Sequence, residues 1–259
     1  MKRMNVLFTV FLCLAFAWIS FYSTSEAATR RVHVSTASEL MRAIASDTEI
    51  HVEPGYYNLT EWRKAHPHTG LKKYAEYPTD RRENPPGVYG AGYRGNYVTL
   101  LKIENLSIIN ADPSRTVEIV IEEGAPDVLD FMYCRNILLD GITLGHAVEP
   151  GYCDGDVVML YGTDNFTMRN CDLYGCGVYG ICSMYSKNTR IEDCTIRACS
   201  DGAVWVKDGN LLLKDTLLKD MPSFSRTILL GEHSEVTLKG CTFRNVPSNV
   251  KNGTYKKEI

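Results

Sequence analysis

Asn165-Phe-Thr-Met-Arg-Asn-Cys-Asp-Leu173 is one copy of a phrase that recurs along most of the chain. Further copies are Asn188-Thr-Arg-Ile-Glu-Asp-Cys-Thr-Ile196, Asn210-Leu-Leu-Leu-Lys-Asp-Thr-Leu-Leu218 and Glu235-Val-Thr-Leu-Lys-Gly-Cys-Thr-Phe243. Related copies begin at Asn105 and Asn136, so the six starts lie 31, 29, 23, 22 and 25 residues apart. Self-similarity at such a period indicates a repeat architecture.

Apolar and polar residues alternate within each copy, as in a half-buried strand. Phe166, Met168, Cys171 and Leu173 are the apolar positions of the copy quoted first. The alternation is broken once in each copy by a polar pair, which predicts a bend between two short strands. These pairs are Asp140-Gly141, Arg169-Asn170, Glu192-Asp193, Lys214-Asp215 and Lys239-Gly240.

A third apolar piece precedes each phrase. These pieces are Val128-Leu-Asp-Phe131, Val157-Val-Met-Leu160, Tyr179-Gly-Ile-Cys182, Ala203-Val-Trp-Val206 and Thr227-Ile-Leu-Leu230. Three strands per period predict an all-β solenoid, in which each strand lies parallel to its counterpart one period on. Antiparallel hairpins are the alternative, but they would not place like residues in register. In the solenoid a column of asparagines should stack and share amide hydrogen bonds: Asn105, Asn136, Asn165, Asn188 and Asn210.

On these repeats the sequence resembles the right-handed parallel β-helix proteins of the pectate-lyase-like superfamily. The resemblance extends over nearly all of the chain after residue 27, and the run from Thr48 to Tyr57 resembles the first coil of many members. It implies a right-handed parallel β-helix (solenoid) and contact with polysaccharide. Catalytic motifs of the family occur only as fragments, such as Gly145-His146-Ala147 and Val204-Trp-Val-Lys207.

The chain divides into three parts. Residues 1–27 have a basic start, an apolar run and a small-residue cleavage site, which predict a signal peptide and a secreted or periplasmic location; a retained membrane anchor is the alternative. Residues 28–246 form the predicted β-helix domain, in which Thr36-x-x-Glu39 and an apolar stripe predict a capping helix over 37–45. Residues 247–259 read as a polar C-terminal tail.

The composition limits the partners. The net charge of −3 gives no case for nucleic acid, and no segment after the signal is long and apolar enough to form a stable membrane span. We expect a monomer that engages polysaccharide. The eight cysteines after residue 27 are expected to be mostly inward fillers, since stacked coils hold them too far apart for good disulfide geometry. A Cys153–Cys182 link is the open alternative.

The segment from Gly145 to Asp156 is longer than the equivalent connections and must bulge at one corner. It concentrates acid and base side chains, to which the following coils add an arginine and an aspartate. The candidate catalytic residues are His146, Glu149, Asp154, Asp156, Arg197 and Asp201. The candidate substrate-binding residues are Tyr152, Tyr174, Tyr179, Lys207 and Lys219. Asp154 and Asp156 are also candidate ligands for calcium, or else they only shape a glycine turn.

A second excursion, over residues 61–96, is rich in basic and aromatic side chains, His66 and His68 among them. It suits an acidic sugar chain, or it is a solvated loop. The sequence therefore predicts a polysaccharide lyase or glycoside hydrolase acting on a uronate-containing polymer. The alternative is a non-catalytic carbohydrate-binding or structural interaction module of the cell envelope.

Overall fold

The computed structural model describes residues 29–66, 84–89, 98–124, 126–148, 153–175, 178–247 and 250–258. The expected signal peptide, Glu149, Tyr152, His68 and Cys176 lie outside these residues. Two short helices are present, α1 (Ala37–Ala43) and α2 (Thr60–Ala65). The strands are β1 (Arg30–Val34), β2 (Thr48–Val52), β3 (Gly55–Asn58), β4 (Gly87–Tyr89), β5 (Thr99–Leu101), β6 (Glu104–Asn110), β7 (Val117–Ile121), β8 (Leu129–Met132), β9 (Arg135–Asp140), β10 (Ile142–His146), β11 (Val158–Tyr161), β12 (Asp164–Arg169), β13 (Asp172–Tyr174), β14 (Tyr179–Met184), β15 (Thr189–Glu192), β16 (Thr195–Arg197), β17 (Gly202–Lys207), β18 (Gly209–Lys214), β19 (Leu217–Lys219), β20 (Ile228–Leu230), β21 (Ser234–Lys239), β22 (Thr242–Arg244) and β23 (Gly253–Lys257).

The strands form three sheets that run the length of a right-handed parallel β-helix. The first sheet has the order β1-β2-β6-β9-β12-β15-β18-β21-β23, the second β22-β19-β16-β13-β10-β7-β3, and the third β20-β17-β14-β11-β8-β5-β4. Within the described chain the antiparallel pairs are β4–β5 and β21–β23, and the other neighbours are parallel. The predicted solenoid is therefore confirmed, and the hairpin alternative is wrong.

The predicted asparagine ladder is present at the start of the first-sheet strands. The side-chain amide of Asn136 donates to Asn105 Oδ1 at 2.8 Å, and that of Asn165 donates to Asn136 Oδ1 at 3.0 Å. Asn188 continues the ladder to Asn165 at 3.0 Å, and its backbone N–H donates to Asn210 Oδ1 at 2.6 Å. The first four members have φ between 55° and 57°, a left-handed conformation that asparagine tolerates.

The predicted bends also take the left-handed conformation. Their second residues have positive φ in five successive coils: Gly141, Asn170, Asp193, Asp215 and Gly240. Each bend separates a first-sheet strand from the second-sheet strand that follows it, so the polar pair turns the chain without leaving a buried backbone group unpaired.

The core is a continuous column of buried aliphatic and aromatic side chains, with Phe131 packed edge-on against Phe166 at 5.3 Å. Six of the described cysteines pack into this core as expected: Cys134, Cys153, Cys171, Cys194, Cys199 and Cys241. The backbone N–H of Cys171 donates to Cys194 Sγ at 3.4 Å, and burial raises the pKa of the Cys171 thiol well above its usual value. Cys182 is a buried free thiol, so the alternative Cys153–Cys182 disulfide is wrong.

Helix α1 covers the first coil, as predicted. Thr36 is its N-cap, since Thr36 Oγ1 accepts from the N–H of Glu39 at 3.2 Å. The helix buries Leu40 and Met41 against the core. Neither α1 nor α2 has the length or the apolar character needed to cross a membrane, and these are the helices of the described residues.

The C-terminal segment is not the loose tail that its polar composition predicts. Strand β23 pairs antiparallel with β21, and Tyr255 packs against the core. The side chain of Asn252 accepts from the N–H of Cys241 at 2.8 Å and donates to its carbonyl at 3.1 Å. These two bonds replace those that the backbone of a further coil would make to Cys241. They explain why a polar segment is ordered here.

The described part of the second excursion packs on the domain. Arg63 of α2 is buried and forms an ion pair with Glu123 at the end of β7. The ring of His66 stacks on Trp62 at 4.4 Å and bonds the Trp62 carbonyl. This part of the excursion is therefore held by the protein itself; residues 67–83 and 90–97 lie outside the described chain.

Candidate active site

The corner between the second and third sheets brings acidic groups together. In each coil the chain leaves a second-sheet strand there and enters the next strand of the third sheet. On the third sheet, register places Asp130, Met159, Cys182 and Trp205 in one column. Their strand neighbours Phe131, Leu160 and Val206 belong to the core, so the column faces outward.

Asp156 is the centre of this group. Its backbone N–H donates to Asp127 Oδ1 at 2.7 Å, and its own Oδ1 accepts from the N–H of Tyr179 at 2.9 Å. Burial and the negative charges of Asp201 and Asp130 together raise the pKa of Asp156 to about 7, against the hydrogen bonds from Tyr179 and Cys182, which lower it. A carboxyl group with this pKa holds a proton over much of the range below neutrality.

Gly155 explains why the chain can place Asp156 there. A Cβ on Gly155 would collide with the backbone of Pro126 and Asp127. Without one, the segment lies flat on that backbone, and the N–H of exposed Asp154 reaches the carbonyl of Gly124 at 2.5 Å. In Asp154-Gly155-Asp156 the glycine therefore allows the chain to lie against the backbone of Pro126 and Asp127. Asp154 is exposed, and Asp156 is partly buried.

Aromatic rings lie beside the acids. Tyr179 is 7% exposed, and its ring centroid is 5.7 Å from that of Trp205. Burial raises the pKa of Tyr179 to about 12, and the charges of Asp201 and Asp156 act in the same direction. Asp201 is exposed at the rim, where its carbonyl accepts from the N–H of Arg226 at 2.7 Å.

Sequence reasoning missed Asp127, Asp130 and Cys182. Asp130 is 3% exposed, accepts from the Thr99 hydroxyl at 2.7 Å and acts on the Cys182 thiol, whose pKa burial raises well above its usual value. The signal was available: Asp130, Met159 and Cys182 hold the same place in three successive copies of the third apolar piece. A single acid at an outward position of an otherwise apolar strand marks a site.

His146 is not at the surface. It ends β10, is 1% exposed, and its Nε2–H donates to the Pro126 carbonyl at 2.7 Å. Burial lowers the pKa of the imidazole. The expectation that His146 acts as a general base is corrected on this ground, since a polymer does not reach a ring that the fold encloses.

Three further candidates, Tyr174, Arg197 and Lys219, end strands of the second sheet and bind other partners. The guanidinium of Arg197 binds Asp172 through Nε and Nη2, both at 2.9 Å, and lies 4.6 Å above the Tyr174 ring. The Tyr174 hydroxyl donates to Glu118 at 2.5 Å, and Lys219 Nζ is 3.9 Å from Asp220. Arg197 is therefore held away from the acids. Lys207, by contrast, follows Trp205 by two residues and shares its outward face.

The calcium hypothesis gains no support from this geometry. Within the described ranges, no three His, Cys, Asp or Glu side chains are arranged to hold a metal ion. The two proposed ligands diverge, because Asp154 is exposed while the Asp156 carboxylate turns inward to the N–H of Tyr179.

A comparison with protein families supports the architecture. Residues 151–255 match the family model described as right handed beta helix region. Similar solved structures include a provisionally assigned glycosyl hydrolase from Parabacteroides merdae, at 9% identity over 57% of this chain and 77% of that one, with a TM-score of 0.38. They also include substituted pectate lyases. The one from Bacillus subtilis is 12% identical, with 87% of this chain and 83% of that chain covered and a TM-score of 0.31. The one from Xanthomonas campestris is 10% identical, with 89% of this chain and 86% of that chain covered and a TM-score of 0.19. No match was found among curated proteins.

Proposed function

We propose, from the premise that residues 151–255 of this chain are a right-handed β-helix region, that the protein is an exported glycoside hydrolase acting on a uronate-containing polysaccharide. One observation carries the proposal. Asp156 is partly exposed, has a pKa near 7 and lies close enough to Asp201 and Asp130 for their negative charges to act on it. Carboxyl pairs whose environments separate their pKa values are the acid and base of glycoside hydrolysis.

In this mechanism Asp156 is the general acid. It protonates the leaving glycosidic oxygen, because it still carries a proton where an ordinary aspartate does not. Asp201, exposed at the rim, is the second carboxylate, which activates water or attacks the sugar. Asp127 is a positioning residue, since it fixes the Asp156 backbone at 2.7 Å.

The surroundings suit an acidic sugar. Trp205 is partly exposed next to buried Tyr179 and offers aromatic surface on which a sugar ring can stack. Arg226 and Lys207 supply cations for a substrate carboxylate. Arg197 is already bound to Asp172. Hydrolysis is proposed over lyase chemistry because Asp156 and Asp201 supply the two carboxyl groups that hydrolysis needs.

Export and the monomeric state belong to the same proposal. The basic start and apolar run of residues 1–27 support a signal peptide, and a secreted or periplasmic location would bring the protein to its polymer. The β-helix domain extends through β23, beyond the residue 246 expected from sequence.

A second candidate function is carbohydrate binding without turnover. It is favoured by the bonds of Asp127 and Asp156 to backbone N–H groups, which are also the bonds of aspartates that only shape a turn.

The test is incubation of the mature protein with polygalacturonate, alginate and other uronate polymers, each with and without calcium. We expect new reducing ends without absorbance from unsaturated products. Unsaturated products would show elimination and overturn the hydrolase assignment. Binding with no product in any arm would support the second candidate, and neither binding nor product would overturn both.

A further inference from the structure

Three tyrosines form a stripe on the outside of the coil, along the turns that lead from the third sheet into the first. Tyr161 lies between Tyr133 and Tyr185, with ring centroids 5.7 Å and 5.1 Å away and ring planes at 87° and 60°. Tyr185 is 45% exposed, and the other two are partly exposed. The stripe therefore advances by one ring per coil, because neighbouring coils are about 4.8 Å apart.

The backbone that presents these rings is strained. Tyr133 and Tyr185 have φ of 54° and 55°, which is unusual for a bulky side chain. The residue at this turn position is Lys102 in the coil before Tyr133 and Asp208 in the coil after Tyr185. Strained positions of this kind cluster at ligand-binding sites, and packing alone does not require tyrosine at the exposed one.

Gly162 makes the regular spacing possible. It occupies the turn position between Tyr133 and Tyr185, where a Cβ would lie 2.7 Å from the Tyr133 ring. With no side chain there, the preceding residue, Tyr161, supplies the middle ring. Tyr133 and Tyr185 thus occupy one position of the repeat, and Tyr161 occupies the position before it. The missing side chain at Gly162 leaves room for the rings to touch.

The stripe lies on the same outer side as the proposed active site. Tyr161 follows Met159 by two residues, and Met159 stands between Asp130 and Cys182 in the outward column. The stripe is therefore about 7 Å from that column along the strand direction. At its far end, the carbonyl of Lys207 accepts from the N–H of Tyr185 at 2.9 Å, and the Lys207 side chain is 33% exposed.

We propose that Tyr133, Tyr161 and Tyr185 bind a linear glycan that lies parallel to the axis of the β-helix. The apolar faces of successive sugar units stack on rings that advance by one coil each, and Lys207 binds a uronate carboxylate at the end of the stripe. The proposal rests on the proposed function, because it gives that enzyme a second place to hold the polymer, across the third sheet from Asp156.

The test uses Asp156→Asn as the background, so that bound polymer is not degraded. Dissociation constants for oligogalacturonides and oligoalginates of three and six units are measured by calorimetry for Tyr185→Ala and for Tyr185→Phe. The control is Tyr56→Ala, which removes a tyrosine that is 53% exposed on a different sheet. We expect Tyr185→Ala to weaken binding of the hexamer about 3- to 10-fold, and the phenylalanine and control variants to bind normally.

Equal hexamer affinity for Tyr185→Ala and its background would overturn the stripe while leaving the hydrolase proposal intact. Gly162→Ala provides a second probe, since it displaces the Tyr133 ring without deleting a tyrosine, and it should also weaken binding. Circular dichroism establishes that each variant is folded. Absence of both binding and turnover for every polymer would overturn the two proposals together.

Discussion

The corner with the asparagine ladder and the corner with Asp156 turn the same chain by opposite means. On the ladder, successive coils repeat one residue type in one conformation, and each amide bonds the next. At the acidic corner, no two coils are alike: one contributes Asp156, the next Tyr179, and another Asp201.

The difference separates structural from functional residues. Members of a repeated column are equivalent, so each contributes the same contact to register and none is placed for chemistry. Unlike groups at one corner instead perturb each other, as the raised pKa of Asp156 shows. We therefore expect variants of the ladder to lose stability, and variants of the acidic corner to lose activity.

The largest expected effect is on turnover. Asp156→Asn removes the proton donor and should lower the hydrolysis rate about 10²- to 10⁴-fold. In the parent protein the rate should fall as pH rises through about 7, where Asp156 loses its proton. Asp154→Asn is the matched control, because Asp154 is exposed two residues away. The measurement is the steady-state hydrolysis rate of each protein from pH 4 to 9. Equal losses in Asp156→Asn and Asp154→Asn would contradict the assignment of Asp156 as the general acid.

The next effect is on stability. Asn165→Val removes two ladder hydrogen bonds of 3.0 Å and places a β-branched residue at a φ of 56°. We expect the free energy of unfolding to fall by about 2–4 kcal/mol. Asn210→Val should lose only about 1 kcal/mol, since Asn210 accepts one bond and is not left-handed. Urea unfolding measures both, and equal losses would contradict a role for the left-handed turn.

The third expected effect is the pH dependence of stability. The folded pKa of Asp156 is raised from 3.8 to about 7, so between these values the native state holds a proton that the unfolded chain has released. Stability should therefore decrease as pH rises from about 4 to 7, by up to about 1.4 kcal/mol per pH unit. Asp156→Asn should remove this part of the slope. Thermal unfolding across that pH range tests it, and an unchanged slope in the variant would refute the buried-acid assignment.

The fold was predictable because its determinants repeat. Asn136, Asn165 and Asn188 recur with the same apolar neighbours, so the coil, the bends and the register could be derived from spacing alone. The C-terminal strand could not, because β23 runs in the opposite direction and its anchor, Asn252, uses a side chain where other coils use backbone.

The site was predictable only in part. The long connection from Gly145 directed attention to this corner, where the charges of Asp156 and Asp201 act on Tyr179; a functional site there stays a proposal. Its path was not predictable: Gly155 allows the close approach to Pro126, and His146 turns inward to the same residue. Both depend on a backbone that is distant in sequence, so no local pattern specifies them.

The C-terminal strand β23 affects how molecules of this protein can associate at high concentration. Without β23, strand β21 would be the unpaired edge of the first sheet. Another molecule could add a strand to that edge, and fibres could grow from it. Here β23 occupies that edge in the reverse direction, and Lys256 bridges across it to Glu235 at 2.8 Å. The segment that looks expendable by composition thus covers the edge of β21 on this sheet.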